Sequence, residues 1–340
     1  FCSISRRPGR EFPVWPTPSP RWHGPRLPIG TIEPWPSWSP ARGRQPGSVT
    51  TMDVRIPGVT VGHWTDAGAQ TGCTVVRLPD GTVASGEVRG GAPATREFAL
   101  LDPRWLVDRV DAIVLSGGSA FGLAAADGVM QALAAEGVGF PTEGGVVPIV
   151  VGMCLYDLMV GDGSVRPDAA AGAAALAAAT DDPEVGLVGA GTGATVAKWL
   201  GVDHRRPGGL GMATTNHGDV VVTAIIAVNA FGDANQTGQA AVLADPSDFE
   251  WPVKELPFGN TTIGAIVTNA ICTKAECLLL AQAGHDGLAR SLRPAHTRHD
   301  GDALVAAGVG VLEADLDELL MLAAAAVELA TTSIVAPGTP

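Results

Sequence analysis

The stretch Pro257-Phe258-Gly259-Asn260-Thr261-Thr262-Ile263 lies where a connector rich in Pro and acidic residues, 245–257, meets an apolar, β-branched segment. A Gly-Asn pair followed by Thr at the head of a strand is the layout of a self-cleaving N-terminal nucleophile. The Thr261 hydroxyl can attack the preceding carbonyl, shift the chain from nitrogen to oxygen and let water hydrolyse the ester. The freed α-amine, with a pKa of about 8, can then act as the base for its own hydroxyl. The alternative is an ordinary loop-to-strand junction with an Asn turn.

Around this junction the chain alternates between apolar or β-branched runs, which predict strands, and Ala- and Leu-rich runs, which predict helices. The predicted strands are residues 53–61, 72–78, 112–116, 146–151, 219–230 and 262–268. The predicted helices are residues 120–136, 167–180, 274–292 and 315–331. Strands and helices in mixed order favour a layered α/β or α+β core over a helical bundle.

Composition excludes several classes of protein. Of the 340 residues, 46% are hydrophobic and 17% are charged, which is not the balance of a disordered chain. The net charge of −13 argues against nucleic-acid and anionic-membrane partners. The longest stretch without charge, 256–273, contains Pro, Gly and Asn, which excludes an ordinary transmembrane helix. Five scattered Cys indicate reduced thiols and predict a cytoplasmic protein.

The first residues differ from the rest of the chain. Residues 1–51 carry 11 of the 26 Pro, 4 of the 8 Trp, and seven Arg against two Glu, without an apolar period. This composition predicts a flexible extension, 1–51, ahead of a single folded domain, 52–340. The alternative is a Pro/Trp-rich arm that packs on a partner subunit.

Three single residues stand out as candidates for chemistry. Lys198, the first Lys of the chain, lies among apolar neighbours, where a Lys either extends to solvent or is functional. Tyr156 is the only Tyr, and a packing role is the simpler interpretation. Asn229 ends a strongly apolar run, so its amide must find hydrogen bonds, as a turn former or as an oxyanion donor.

Two glycine-containing motifs allow more than one interpretation. Gly189-Ala-Gly191-Thr-Gly193-Ala194 partly matches a dinucleotide fingerprint, but the acidic residue expected about 20 positions later is missing. A tight turn where backbone approaches backbone is the alternative. In His299-Asp300-Gly301-Asp302, the two carboxylates suit a divalent metal, a helix cap or an ammonium group. A calcium site needs more oxygens than these two side chains offer, and zinc spacing is absent from the sequence.

Seven short segments within residues 53–335 carry a family resemblance. They are Gly91-Ala-Pro-Ala-Thr-Arg-Glu97, Ser116-Gly-Gly-Ser-Ala-Phe-Gly-Leu123, Tyr156-Asp157-Leu158, 191–198, 228–233, Asn260-Thr-Thr-Ile263 and Asp300-Gly-Asp302. Together they resemble the family of D-/L-aminopeptidases, β-peptidyl aminopeptidases and 6-aminohexanoate-oligomer endohydrolases (nylon-oligomer hydrolases). The resemblance implies a four-layer αββα sandwich like that of N-terminal-nucleophile hydrolases, with different strand connectivity. It also implies self-cleavage between Asn260 and Thr261 into chains 52–260 and 261–340.

The resemblance further implies a set of site residues and partners. The site residues are Thr261, Asn229, Lys198, Tyr156, Asp300 and Asp302. It implies a nucleophilic Thr, an amide that donates to the oxyanion, and two carboxylates that orient the nucleophile and its ammonium. No metal and no cofactor are implied. The implied substrate is a small amide or short peptide, and the implied assembly is a homo-oligomer of αβ units, a tetramer or larger.

Two other functions fit parts of the sequence. The fold resemblance extends to ornithine acetyltransferases, which self-cleave at a Thr and transfer an acyl group to an amine instead of to water. Their cleavage-site motif is not present here. A chain that is never cleaved and serves as a binding scaffold is the non-enzymatic alternative.

Overall fold

Two five-stranded sheets and four α-helices make up most of the described chain. The structure is a computed structural model that describes residues 50–51, 53–234 and 259–335. Its main strands are β1 (Thr60–Asp66), β2 (Thr71–Arg77), β3 (Val83–Val88), β4 (Thr95–Arg96), β5 (Ala112–Ser116), β6 (Val150–Cys154), β7 (Gly209–His217), β8 (Val220–Asn229), β9 (Thr261–Ala270) and β10 (Ala303–Leu312). Its α-helices are α1 (Ala125–Ala135), α2 (Ala169–Ala177), α3 (Lys274–Ser291) and α4 (Leu316–Ile334).

Shorter elements connect these strands and helices. Two-stranded pairs are formed by Thr50–Thr51 with Glu184–Val185, Phe140–Thr142 with Gly145–Val147, Thr195–Val196 with Arg206–Pro207, and Asp233–Ala234 with Leu292–Arg293. Turns of 3₁₀-helix span Phe98–Leu101, Ser119–Ala124, Gly189–Gly191, Lys198–Leu200 and Val202–His204. Apart from Thr50–Thr51, the predicted extension 1–51 lies outside the described residues.

Both sheets are mixed: each has one parallel pair of strands, and its other neighbouring strands are antiparallel. The first sheet runs β1-β2-β5-β6-β4, and the second runs β7-β8-β9-β10-β3. In the first sheet only β5 and β6 are parallel, and in the second only β9 and β10 are parallel. In both cases the parallel pair is joined by a connection that contains helix, as parallel strands require.

Three separate hydrophobic clusters divide the structure into layers. The inner faces of the two sheets meet in one cluster, which includes Ile113, Leu115, Met153, Ile225, Ile263 and Val305. The outer face of the first sheet packs on α1 and α2, and that of the second sheet packs on α3 and α4. Because neighbouring strand residues point to opposite faces, each central strand contributes to two clusters. The predicted four-layer αββα sandwich is confirmed.

Helix α3 begins directly after β9 because the local sequence caps it. The Thr273 hydroxyl accepts from the Glu276 backbone N–H, and the Glu276 carboxylate accepts from the Thr273 N–H, forming a capping box. Cys272 and Cys277, which flank this box, lie in one buried cluster, as in a hydrophobic staple. The capped start fixes the path of the chain from the second sheet to its helix layer.

The predicted elements agree with the structure where the apolar pattern is long. The predicted strands 112–116, 219–230 and 262–268 correspond to β5, β8 and β9, and all four predicted helices are present. The predicted strand 53–61 is wrong, since the strand begins only at Thr60. The predicted strand 146–151 divides at Pro148 into an exposed hairpin arm, Gly145–Val147, and the buried β6.

Three strands of the second sheet, β3, β7 and β10, were not predicted.

Within the described residues, no helix is long and apolar enough to cross a membrane.

Candidate active site

The second sheet brings two distant segments to the Asn260–Thr261 junction. Strand β8 is antiparallel to β9, and its last residue, Asn229, lies opposite Thr261. Strand β10 is parallel to β9, so the loop before it lies beside the start of β9, and Asn260 bridges to Asp300. The end of one strand and the starts of two others therefore meet around Thr261, whose side chain is buried.

Two donors contact the carbonyl oxygen of Asn260. The Thr261 Oγ1 donates to this oxygen in a short hydrogen bond. The Gly301 N–H donates to the same oxygen at 3.1 Å. Gly301 can lie this close because it has no side chain: an added Cβ would stand 2.7 Å from Thr261 Oγ1 and 2.8 Å from the Ala92 oxygen. A hydroxyl and a backbone donor thus converge on one peptide carbonyl.

The side chain of Asn229 is fixed by hydrogen bonds at both ends. Its Oδ1 accepts from Lys198 Nζ at 2.8 Å and from the Thr195 N–H at 2.9 Å. Its Nδ2 donates to the Tyr156 carbonyl at 2.9 Å and to the Gly259 carbonyl at 3.3 Å. All of the amide's polar atoms are thus used, as a fully buried Asn requires.

Lys198 points into the protein from a 3₁₀ turn and is 7% exposed. Besides Asn229 Oδ1, its Nζ donates to the Asn229 carbonyl at 3.1 Å and to the Gly259 carbonyl at 3.2 Å. The pKa of Lys198 is lowered to about 7, chiefly by burial and to a lesser extent by the positive charge of Arg205. The carboxylates of Asp300 and Asp302 act in the opposite direction and offset part of this effect.

Tyr156 lies two residues after the end of β6. Its ring contacts Gly259, whose carbonyl accepts hydrogen bonds from Lys198 and Asn229. A Cβ added to Gly259 would stand 3.0 Å from Tyr156 Cδ1, so the aromatic ring lies against the Gly259 backbone. Gly259 has φ +151°, a conformation that residues with side chains rarely adopt. The Gly259 backbone just before the junction therefore contacts an aromatic ring and accepts hydrogen bonds from two polar side chains.

Asp300 and Asp302 flank Gly301 in the sequence, and the carboxylate of each accepts hydrogen bonds from backbone N–H groups. Asp300 accepts from the Phe231 N–H at 3.0 Å, and from the N–H and hydroxyl of Thr297 at 3.1 and 2.5 Å. Burial, together with the negative charge of Asp302, raises the pKa of Asp300 to about 6. Asp300 therefore ties the end of β8 to the loop before β10.

Asp302 performs a similar role next to Thr261. It accepts from the Thr262 N–H at 2.7 Å, and from the N–H and Nδ1 of His296 at 3.0 and 2.9 Å. Burial alone would lower the pKa of His296, but the hydrogen bond and charge of Asp302 outweigh it, and the pKa is raised. Among the described residues, no three His, Cys, Asp or Glu side chains lie together as a set of metal ligands.

All six predicted site residues lie around the Asn260–Thr261 junction. The expected oxyanion contact of Asn229 is not made in this uncleaved chain: its amide donates to the carbonyls of Tyr156 and Gly259. The Asn260 oxygen instead accepts from the Gly301 N–H and the Thr261 hydroxyl. Gly301 was not among the predicted site residues; its signal in the sequence is a residue without a side chain between two carboxylates.

Two other sequence interpretations are decided by geometry. The Gly189–Ala194 motif forms a 3₁₀ turn packed on backbone, and a Cβ on Gly191 would stand 2.1 Å from the Leu210 nitrogen. This is the tight turn that was the alternative to a dinucleotide site. His296, which was not among the predicted site residues, hydrogen-bonds Asp302 through its backbone N–H and Nδ1 and so lies within the candidate site.

Known proteins with similar sequences are peptidases and amide hydrolases. The chain is 42% identical over 285 residues to an uncharacterised aminopeptidase of Mycobacterium tuberculosis, covering 76% of this chain and 81% of that protein. It is 33% identical over 274 residues to a 6-aminohexanoate-oligomer endohydrolase of Kocuria sp., covering 75% of this chain and 74% of that protein.

Solved structures have the same fold at lower identity. A β-aminopeptidase of Burkholderia sp. matches with a TM-score of 0.63 and 23% identity, covering 85% of this chain and 87% of that one. An L-aminopeptidase D-Ala-esterase/amidase of Ochrobactrum anthropi, described as a variant of the Ntn hydrolase fold, matches with a TM-score of 0.64 and 17% identity, covering 83% and 85%.

The family model of peptidase family S58 matches residues 52–336. The match covers nearly all of the predicted domain and agrees with the relatives and with the fold. The chain therefore belongs to peptidase family S58 and is a hydrolase of peptide or other linear amide bonds.

Proposed function

We propose that this chain is a self-processing amide hydrolase whose nucleophile is Thr261 and whose base, after cleavage, is the α-amine of Thr261. The observation that supports this most is the convergence on one carbonyl oxygen, that of Asn260. The Thr261 hydroxyl and the Gly301 N–H both donate to it. A nucleophile and a fixed donor on the same amide are the two components that acyl transfer needs.

Self-cleavage would proceed in two balanced steps. Thr261 Oγ1 attacks the carbonyl carbon of Asn260, and the C–N bond breaks while the hydroxyl proton passes to the nitrogen of Thr261. The Gly301 N–H stabilises the negative oxygen that forms in between. Water then hydrolyses the ester, which leaves a carboxylate on Asn260 and restores the Thr261 hydroxyl beside a free amine.

The mature enzyme would repeat this chemistry on an added amide. The α-amine of Thr261 takes the hydroxyl proton during attack and delivers it to the leaving amine. The acyl group stays on Oγ1 as an ester until water, activated by the same amine, releases it. No other ionisable group has to exchange protons with the substrate in this scheme.

The remaining site residues would position the reacting groups. Asp302 holds the backbone just after the nucleophile through the Thr262 N–H, and Asp300 holds the end of β8 through the Phe231 N–H. Lys198 and Asn229 hold the carbonyl of Gly259. These contacts keep the chain before and after the scissile bond in register with its donors.

We also propose a substrate class, an assembly and a cellular compartment for the enzyme. Its substrate is a small amide or short peptide, and its αβ units form a homo-oligomer, a tetramer or larger. The four cysteines in the described residues are free thiols, which supports a reducing compartment, the cytoplasm. Cofactors, nucleic acids and membranes have no part in this proposal.

Purified protein is expected to consist of two chains, because the junction can cleave itself during or after folding. The smaller chain begins at Thr261 and is 80 residues long, since 340 − 260 = 80. Intact mass and N-terminal sequencing of the small chain measure this. A single intact chain with full amide hydrolase activity, or a small chain that starts elsewhere, contradicts the proposed nucleophile.

Lys198 is expected to make stability depend on pH in a defined window. Its pKa is about 7 in the folded chain and 10.5 in the reference state, so the unfolded chain binds more protons between these values. The free energy of unfolding should therefore rise with pH between about 7 and 10. Below about 7, Lys198 is protonated in both states and should add no pH dependence. Lys198→Met should remove this rise.

The comparison is made in a Thr261→Ala background, so that both chains stay uncleaved, by thermal unfolding at several pH values. Identical pH dependence with and without Lys198 contradicts the burial-induced pKa. This test is independent of catalysis, because neither protein has the nucleophile.

A further inference from the structure

Both ring nitrogens of His296 face acceptors. Its Nδ1 lies 2.9 Å from the Asp302 carboxylate, and its Nε2 lies 3.2 Å from the backbone oxygen of His285. An ionised carboxylate and a carbonyl oxygen only accept hydrogen bonds, whereas a neutral imidazole has a single N–H to donate. The proton between the ring and Asp302 belongs on the ring, since a carboxyl group is much the stronger acid. His296 is therefore bound as a positively charged imidazolium.

His285, whose ring lies 4.8 Å from that of His296, is uncharged. Its Nε2 donates to the Glu87 carbonyl at 3.0 Å, and its buried Nδ1 has no hydrogen-bond partner in the described part of the chain. A proton on that Nδ1 would place an unpaired charge in the interior. Burial accordingly lowers the pKa of His285 to about 4. The positive charge of the histidine pair thus lies on His296, next to Asp302.

The groups that act on the charge of His296 come from three elements. Asp302 lies in the loop before β10, His285 lies on α3, and Arg89 follows β3. Burial lowers the pKa of His296, and so does the charge of Arg89. The hydrogen bond and charge of Asp302 raise it, as does the carbonyl of His285, and the net effect is a rise. His296 therefore keeps its proton to a higher pH than an ordinary histidine, whose pKa is about 6.5.

The imidazolium distinguishes the two buried carboxylates of the site. Asp302 is 2% exposed and pairs with His296. Asp300 is 1% exposed and accepts from uncharged donors, the N–H of Phe231 and the N–H and hydroxyl of Thr297. A carboxylate that has lost its hydration stays charged where a cation compensates for the loss. Asp302 is therefore the carboxylate of this pair that is held in its charged form.

The charged Asp302 in turn holds the start of β9. Its Oδ1 accepts from the Thr262 N–H at 2.7 Å, while His296 binds its Oδ2. Thr262 follows Thr261 directly, so this bond fixes the backbone on the C-terminal side of the proposed nucleophile. A backbone N–H binds an ionised carboxylate more strongly than a neutral acceptor. The charge of His296 thus strengthens, through Asp302, the contact that holds Thr261 in place.

We propose that His296 is a further positioning residue for amide hydrolysis, acting as an imidazolium through Asp302 on the backbone at Thr261. This inference rests on the proposed function, because it needs Thr261 as the nucleophile. Two requirements then oppose each other in the mature enzyme. The Thr261 amine must lose its proton to act as a base, and His296 must keep its proton to hold Asp302. Activity therefore rises and then falls as the pH increases.

The test compares kcat/KM of the purified, self-cleaved enzyme with that of His296→Asn. His296 has φ +56°, in the left-handed region, which Asn tolerates better than most residues. The substrate is L-alanine p-nitroanilide or a linear 6-aminohexanoate oligomer, whichever the unmodified enzyme hydrolyses faster. We expect the variant to be about tenfold slower at about pH 6, the scale of losing a hydrogen bond between charged groups. The difference should shrink to about twofold at about pH 10, where the histidine of the unmodified enzyme is neutral.

The ratio of the two kcat/KM values separates this role from a packing role, because the Thr261 amine ionises in both proteins. A ratio that stays constant with pH would overturn the inference. His217→Asn is the matched control, since His217 also pairs with a carboxylate, that of Glu318 at 2.5 Å. His217 is exposed, however, and lies opposite Val220, at the end of β7 away from the site. The control should match the unmodified enzyme at every pH.

A second background tests whether His296 acts through Asp302. In an Asp302→Asn chain, His296→Asn should slow the reaction by less than about twofold, because the two substitutions remove the same interaction. A further loss of about tenfold in that background would mean that His296 acts on another group, and the inference would be wrong.

The unmodified enzyme provides a test that does not depend on the folding of a variant. In protein labelled with ¹⁵N at its seven histidines, NMR should show one histidine that titrates above an ordinary pKa of about 6.5 and carries both ring protons below it. A set of histidines without such a member would overturn the inference. Failure of the proposed function looks different: the protein stays one chain, or Thr261→Ala still hydrolyses the substrate.

Discussion

Thr261→Ala is expected to give a folded, intact chain of 340 residues without amide hydrolase activity. The substitution removes the hydroxyl that donates to the Asn260 carbonyl, which is the proposed nucleophile of both self-cleavage and turnover. Activity should fall below detection, because the new N-terminus that supplies the base is never made. Denaturing electrophoresis and an anilide assay on the same preparation measure the two effects together.

Thr262→Ala is the matched control for this result. Thr262 follows the nucleophile on the same strand and is fully buried, and its Oγ1 is without a hydrogen-bond partner within the described part of the chain. Its backbone N–H, which donates to Asp302, is unchanged by the substitution. The control should therefore cleave itself. Cleavage at residue 261 in the Thr261→Ala chain would disprove the nucleophile, and an uncleaved control would mean that the junction tolerates no change.

Gly301→Ala is expected to slow self-cleavage by at least about 10²-fold, the scale of losing one oxyanion donor. The new methyl group would stand 2.7 Å from Thr261 Oγ1 and 2.8 Å from the Ala92 oxygen. Either the hydroxyl or the Gly301 backbone must move, and each movement breaks the convergence on the Asn260 carbonyl. The rate is followed as the appearance of the 80-residue chain after synthesis in a cell-free system.

Gly144→Ala serves as the control for an added methyl group. Gly144 is exposed in the turn between Phe140–Thr142 and Gly145–Val147, and the nearest atom to an added Cβ is 3.8 Å away. This variant should cleave at the normal rate. Thermal unfolding of both variants separates a local effect at Gly301 from loss of the fold. A folded Gly301→Ala chain that cleaves normally contradicts the role of its N–H.

The fold was predictable from sequence where hydrophobic patterns are long or β-branched. Strand β8 and helix α3 have such patterns, and their bounds agree with prediction within one or two residues. Strands β7 and β10 were missed because Gly and Ala interrupt their apolar pattern. These two residue types have low intrinsic preference for strands, and they make up three of the nine residues of β7 and five of the ten of β10. Close packing requires small residues there: a Cβ on Gly211 would stand 2.0 Å from the Ala330 oxygen.

The side chains of the site were predictable, but their hydrogen-bond partners were not. Thr261, Lys198 and Asn229 carry distinctive chemistry in apolar surroundings, which makes them visible in a sequence. The donor on the Asn260 oxygen is a backbone N–H, and any residue type carries one. Only the pairing of β9 with β8 and β10 shows that Gly301 supplies it and that Asn229 instead holds Gly259.

Cleavage before Thr261 would leave the 80-residue chain as the central part of the second sheet. That piece carries β9 and β10, and its neighbours on either side, β8 and β3, both belong to the larger piece. To dissociate, it must break its backbone hydrogen bonds to both β8 and β3. Dissociation would also expose apolar strand edges, which favour aggregation. Once apart, the two pieces have to find each other by diffusion. The lifetime of the cleaved protein would therefore be set by its unfolding rate, and a single exposure to high temperature could inactivate it irreversibly.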